Sequence, residues 1–172
     1  MVTSKKVGKA ANKPSVGKPG IQKTHTTKKA ATQACTRAAL VQGVVSTYGD
    51  LLKTKGDGTV DRDHIPSSKA LEKRAAKLAG RKLTSAEKRR VKNSGKAITL
   101  PKPVHKSGRT FGGKNTDTQT TADASGLSKA AKADIDAYRQ QGVDAPTLKK
   151  MDGMVMTDAE YDKMLLNAVN DT

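Results

Sequence analysis

The chain holds three histidines, and two of them stand in company that suggests chemistry. The first lies in Val60-Asp61-Arg62-Asp63-His64-Ile65-Pro66. Adjacent residues of an extended segment point to opposite sides, so Asp63 can hold a metal while His64 faces a water. The second closes the run Ile98-Thr99-Leu100-Pro101-Lys102-Pro103-Val104-His105, four residues before Arg109. Phosphodiester cleavage needs a metal to polarise the phosphate, a base to activate water and a cation near the developing charge. Asp63 and His105 suit the metal, and a carboxylate with an imidazole fits Mg²⁺, Mn²⁺ or Zn²⁺. His64, with an ordinary pKa of about 6.5, suits the base. Arg109 suits a bidentate phosphate clamp. The third histidine, His25, has no such neighbours and is read as idle.

The charge distribution points to the same class of substrate. The 172 residues carry a formal net charge of +17, with 2% aromatic residues and one cysteine. A lone cysteine excludes an intrachain disulfide framework and a multi-cysteine zinc finger. No run of about 18 apolar residues is present, so no spanning helix is expected. The N-terminal lysines have no apolar segment behind them, so no classical signal peptide is read. Residues 1–30 carry +8, residues 31–68 are neutral, residues 69–114 carry +13 and residues 115–172 carry −4. The most basic block thus falls between the two histidine motifs, where a polyanion would dock. Arg62, Lys69, Lys73, Arg74, Arg89, Arg90, Lys102, Lys106 and Lys114 are the expected phosphate contacts. Such contacts do not read sequence directly. The scarcity of aromatic residues argues against recognition of single strands by base stacking.

Several elements must position these residues. The Lys-, Gly-, Pro- and Thr-rich stretch 1–30 has too little apolar surface to fold and is expected to be a disordered basic tail or linker. A helix is expected over 31–52 from the spacing of Val41, Val45, Tyr48 and Leu52, interrupted near Gly43 or Gly49. Cys35, among alanines, reads as a small buried hydrophobe. An extended segment should run from Thr59 to Pro66. A helix capped by Ser67 or Ser68 should come next, run through Ala79 and end at Gly80. A capping box at Thr84 and Glu87 starts another helix, to about Asn93. Ala97–Leu100 reads as a strand. Residues 101–116 read as largely irregular, with room for a helical turn at Pro103–Lys106. Amphipathic helices are expected around Leu127–Tyr138 and after the capping box Thr157/Glu160.

The segment Asp61-Arg62-Asp63-His64-Ile65-Pro66 resembles the first motif of HNH endonucleases, the ββα-metal fold. Ile98-Thr99-Leu100-Pro101 followed by His105 resembles the second half of the HNH variants found in bacterial polymorphic toxins. Gly108-Arg109-Thr110-Phe111-Gly112-Gly113-Lys114-Asn115-Thr116 is similar to the segment after that histidine in those toxins. The resemblance covers about residues 57–140. It implies a divalent metal held by Asp63 and His105, with His64 as general base. It departs from the family in three ways. A helical stretch of about thirty residues, from Ser67 to Lys96, replaces the short hairpin loop. Arg109 stands where a further ligand would be. The middle asparagine has two candidates, Asn93 and Asn115.

These observations predict a mostly helical α+β fold. It would have a small ββα-metal core over about 57–116, a helical insertion between its two strands and C-terminal helices over about 120–172. Residues 31–172 would form the nuclease domain. The expected function is a metal-dependent endonuclease acting as an antibacterial toxin on DNA, with RNA kept open as substrate. Its expected partner is an acidic immunity protein covering the basic cleft. Delivery would be by a bacterial export system, from an upstream delivery domain, into the target-cell cytoplasm. The alternative is a non-enzymatic basic nucleic-acid binder, histone-like or packaged in a virion. That binder would need neither metal nor His64.

Overall fold

The computed structural model describes residues 40–171. The expectations for the basic tail, His25, Cys35 and residues 31–39 lie outside them. The described elements run β1 (Val45–Thr47), α1 (Tyr48–Leu52), β2 (Val60–His64), α2 (Ser68–Ala79), α3 (Ser85–Ser94), β3 (Lys96–Pro101), α4 (Lys102–Ser107), a 3-10 turn (Gly112–Lys114), α5 (Asp117–Ser125), α6 (Leu127–Gln140), α7 (Ala145–Asp152) and α8 (Asp158–Asn170). This is a mostly helical α+β fold around one antiparallel sheet of order β1-β3-β2. Two helices lie between β2 and β3 in sequence, and α4 comes after β3 without a loop.

Local chemistry explains most boundaries. Ser67 caps α2 by accepting from the Ala70 amide, and Gly80 ends it in the left-handed conformation. Thr84 and Glu87 form both bonds of the capping box on α3, as Thr157 and Glu160 do on α8. The Thr84 box is reinforced by Arg81, whose guanidinium holds the Glu87 carboxyl down at about 2.

The helix expected over 31–52 is corrected in its described part. Residues 45–47 are a strand and only Tyr48–Leu52 is helical. Gly43 has φ +73°, which breaks a helix. Val44 then meets the free edge of β3: the Thr99 amide donates to its carbonyl at 3.0 Å, and its own amide donates to the Thr99 hydroxyl at 2.8 Å. The β-branched run suits that edge better than a helix. Val41 is 66% exposed, so the apolar spacing marks no buried face.

The sheet separates two apolar regions. Ile98 and Leu100 of β3 face Ala131, Ile135 and Tyr138 of α6 and Met151 of α7. On the other face Ala97 packs with Leu40 and Leu51. A helical layer is built apart from these by Leu71 of α2, Val91 of α3, and Tyr161 and Leu165 of α8. Two arginines expected to hold phosphate are used inside this layer. Arg74 forms a fork with Asp162 at 2.7 and 2.5 Å, and Arg90 donates to the Ala168 and Val169 carbonyls at the end of α8.

Gly95 joins this layer to the site. A Cβ there would lie 2.7 Å from Leu71 Cδ1 and 3.1 Å from His64 Cδ2, though its backbone is unstrained. Gly95→Ala should therefore destabilise by about 1–3 kcal/mol through overpacking, read as a lower urea midpoint at unchanged slope.

Candidate active site

Antiparallel pairing places Asp61 opposite Leu100 and Asp63 opposite Ile98, so both carboxylates share the sheet face that looks toward α6. Arg62 and His64 lie opposite Thr99 and Ala97 and take the other face. Since α4 begins directly after Pro101, His105 comes back alongside β2. Its Nδ1 lies 3.1 Å from Asp61 Oδ2 and its Nε2 3.3 Å from Asp63 Oδ1. Both nitrogens thus face carboxylates, and Asp63, then Asp61, hold the imidazolium above the ordinary histidine range despite partial burial. Tyr138 of α6 donates its hydroxyl to Asp63 Oδ2 at 2.6 Å. Burial pushes that phenol far up, so it stays a donor. The Phe111 ring meets the His105 ring edge-on, with centroids 4.9 Å apart.

His64 is built differently. It is 8% exposed, and its ring stacks on Tyr48 at 4.2 Å. Its Nε2 lies 3.0 Å from the Lys92 carbonyl, which only accepts, so Nε2 carries the proton. The lone pair is then on Nδ1, as a general base requires. Burial pushes the His64 pKa down, which keeps the ring neutral.

The two histidine environments open on one cleft of about 470 Å³. Asp63, His64, His105, Tyr48, Lys92 and Asn115 are among its lining residues, together with Arg62, Lys69 and Phe111. A lysine-lined groove of about 760 Å³ shares Lys69 and Asn115 with it and continues past Lys73, Lys82 and Lys88. Asn115 is buried at the junction, donating to Ser67 Oγ at 3.1 Å and accepting from Thr120 Oγ1 at 3.0 Å. Asn93 does not line the cleft; its side chain packs against Gly49.

Arg109 is used differently from the expected clamp. Its guanidinium reaches Asp134 at 2.9 Å and Asp123 at 3.1 Å and does not line the cleft. Two nearby buried carboxylates without it would be costly. Arg62 lines the cleft but donates to the Leu51 and Thr54 carbonyls at 2.9 and 2.5 Å. Lys73 pairs with Asp117 at 3.0 Å, and Lys114 donates to the Lys106 carbonyl. Arg89 and Lys106 are exposed, and with Lys102 they stand outside the cleft lining. Asp61, Tyr48, Lys92 and Tyr138 were given no role by sequence reasoning. The two-residue spacing of Asp61 and Asp63 could have placed them on one face. Nothing local marks Tyr138, which arrives from 75 residues away.

A divalent ion is compatible with these donors. Metal–ligand distances of about 2.0–2.2 Å set neighbouring ligand atoms roughly 3.0–3.5 Å apart, and Asp63 Oδ1 and His105 Nε2 are 3.3 Å apart. Among the described residues no group of three or more His, Cys, Asp and Glu side chains has the arrangement of a complete metal site. Hard ions such as Mg²⁺ commonly complete their shell with water and substrate oxygens.

The two histidines should titrate on opposite sides of about pH 6.5 in ring-proton NMR with EDTA present. His105, with its raised pKa, adds stability that is complete below about pH 6.5 and lost as pH rises through the raised value. The lowered pKa of His64 has the opposite sense, costing stability as pH falls below about 6.5. His105→Asn should therefore lower the urea midpoint more at about pH 5.5 than at about pH 9. An equal loss at both would contradict the bridged imidazolium.

No protein-family model and no solved structure matches the chain. No helix among the described residues is long and apolar enough to cross a membrane. Over 84 residues, 49% of its length, the chain is 45% identical to the protein named Deoxyribonuclease CdiA of Dickeya dadantii (strain 3937). The match spans 2% of that protein, so this chain is similar to a small part of a far longer relative.

Proposed function

We propose that this chain is a metal-dependent endonuclease of HNH type that hydrolyses DNA with little sequence preference and serves as an antibacterial toxin. The observation that carries this reading is the meeting of Asp63, His64 and His105 in one cleft that continues into a lysine-lined groove. The likeness to a deoxyribonuclease supports DNA as the substrate.

In this reading Asp63 and His105 would hold the ion, and when bound it would supply positive charge to polarise the scissile phosphate. Mg²⁺ and Mn²⁺ suit the donor set best, and Zn²⁺ fits it also. His105 would have to release its Nε2 proton to serve as a ligand, so protons would compete with metal and lower its affinity as pH falls. Tyr138 fixes Oδ2 of Asp63 and so orients Oδ1 toward His105. His64 Nδ1 takes a proton from water while that water's oxygen bonds to phosphorus. The bond from phosphorus to the leaving sugar oxygen breaks, its electron pair stays on that oxygen, and solvent returns a proton. Lys69, Lys82 and Lys88 border the adjoining groove and hold phosphates without reading bases. An acidic immunity protein would cover this surface in the producing cell, and an upstream domain would deliver the chain into the target cytoplasm.

Plasmid incubated with Mg²⁺ or Mn²⁺ should be cut by the wild-type protein and spared in EDTA. His64→Ala should reduce the rate by about 10²–10⁴-fold. A basic nucleic-acid binder would instead give salt-sensitive binding that is equal in both proteins, with no cutting. Tyr138→Phe should weaken Mn²⁺ binding at least tenfold in calorimetry, on the order seen for partners of metal ligands.

A further inference from the structure

Phosphoryl transfer concentrates negative charge on the non-bridging oxygens, and a preorganised cation there lowers the barrier. The cleft must find that cation without Arg109, which Asp123 and Asp134 hold elsewhere. Arg62 lines the cleft, but its guanidinium is committed to two backbone carbonyls. Lys69 lies exposed in the first turn of α2, where the cleft passes into the groove.

Lys92 is placed otherwise. It is half-buried in the last turn of α3 and lines the cleft. Its ammonium stands 5.0 Å from the centroid of the Tyr48 ring, and that same ring stacks on His64. Among the described residues it forms no ion pair with a carboxylate. A cation over an aromatic ring is held weakly enough to meet a stronger anion. The ring therefore holds the ammonium beside His64.

The geometry points to Lys92 as a catalytic residue, the cation that meets a non-bridging oxygen of the scissile phosphate and stabilises its charge in the transition state. This rests on the nuclease reading above. It also separates the two halves of one residue. The Lys92 carbonyl orients His64 whatever side chain is present, so a side-chain substitution removes the charge and leaves the base in place.

The test is steady-state plasmid cleavage with Mn²⁺ by wild type, Lys92→Gln and Lys92→Arg, with thermal midpoints measured alongside. Lys92→Gln should lower kcat by about 10²-fold, with KM changed by less than about threefold, the pattern of an interaction made in the transition state. Lys92→Arg should recover most of that loss, and the midpoints should agree. A wild-type kcat in Lys92→Gln overturns the assignment, and so does a loss that Lys92→Arg fails to recover. If the wild type cleaves no DNA at all, the nuclease reading fails and this role fails with it.

Discussion

Asp61 and Asp63 leave the same face of β2 two residues apart, and their charges would repel across a surface otherwise made of Ile98 and Leu100. His105 lies between them, and Tyr138 takes the remaining oxygen of Asp63. The rest of the site depends on this bridge. It ties α4 to β2 across β3, brings α6 against the sheet edge and fixes which oxygen of Asp63 is directed at His105. It also sets the site's response to protons, because the imidazolium neutralises charge that a divalent ion would otherwise neutralise.

Most of the described arginines are committed to the protein itself, with Arg89 exposed. Arg62, Arg74, Arg81, Arg90, Arg109 and Arg139 all bind a carboxylate or a backbone carbonyl of the protein itself. A rigid planar fork suits such paired acceptors. Lys69, Lys82, Lys88 and Lys92 line the cleft and its adjoining groove instead. The cationic groups along the cleft and groove are therefore mostly ammonium, a point charge that makes few demands on a partner's geometry.

The parts of the fold that were legible had local causes. Ser67, Thr84 and Thr157 cap helices through their own hydroxyls, and Gly80 ends one, so α2, α3 and α8 could be read at nearly their observed limits. The strands around His64 and Ala97 were marked by their flanking prolines and glycines. The strand at Val45 was not legible, because it exists only against the edge of β3 and its own spacing imitates a helix. Helix α5, with Thr120, Asp123 and Ala124 as its buried residues, carries almost no apolar stripe to find. Asp63, His64 and His105, which the fold brings to one cleft, each lie in a short sequence motif. Lys92 and Tyr138 are joined to them through the Tyr48 ring and through a contact 75 residues distant, which no local pattern encodes.

Arg109 shows how the chain's charge asymmetry is resolved in the fold. The C-terminal part is acidic as a sequence, yet Asp123, Asp134 and Asp162 turn inward to Arg109 and Arg74 from the basic block. Burial pushes the Asp134 carboxyl up to about 7 even beside that guanidinium, so the network is held at an electrostatic cost. What the cost secures is position. Asp134 and Tyr138 lie one turn apart on α6. The first anchors the loop that carries Phe111 onto His105, and the second holds Asp63. Gly108 fits between Tyr138 and the His105 carbonyl because a Cβ there would lie 2.5 Å from the Tyr138 hydroxyl and 3.0 Å from that carbonyl. One face of a C-terminal helix thus steadies both proposed metal ligands, and Asp134 and Asp123 are part of the frame around them.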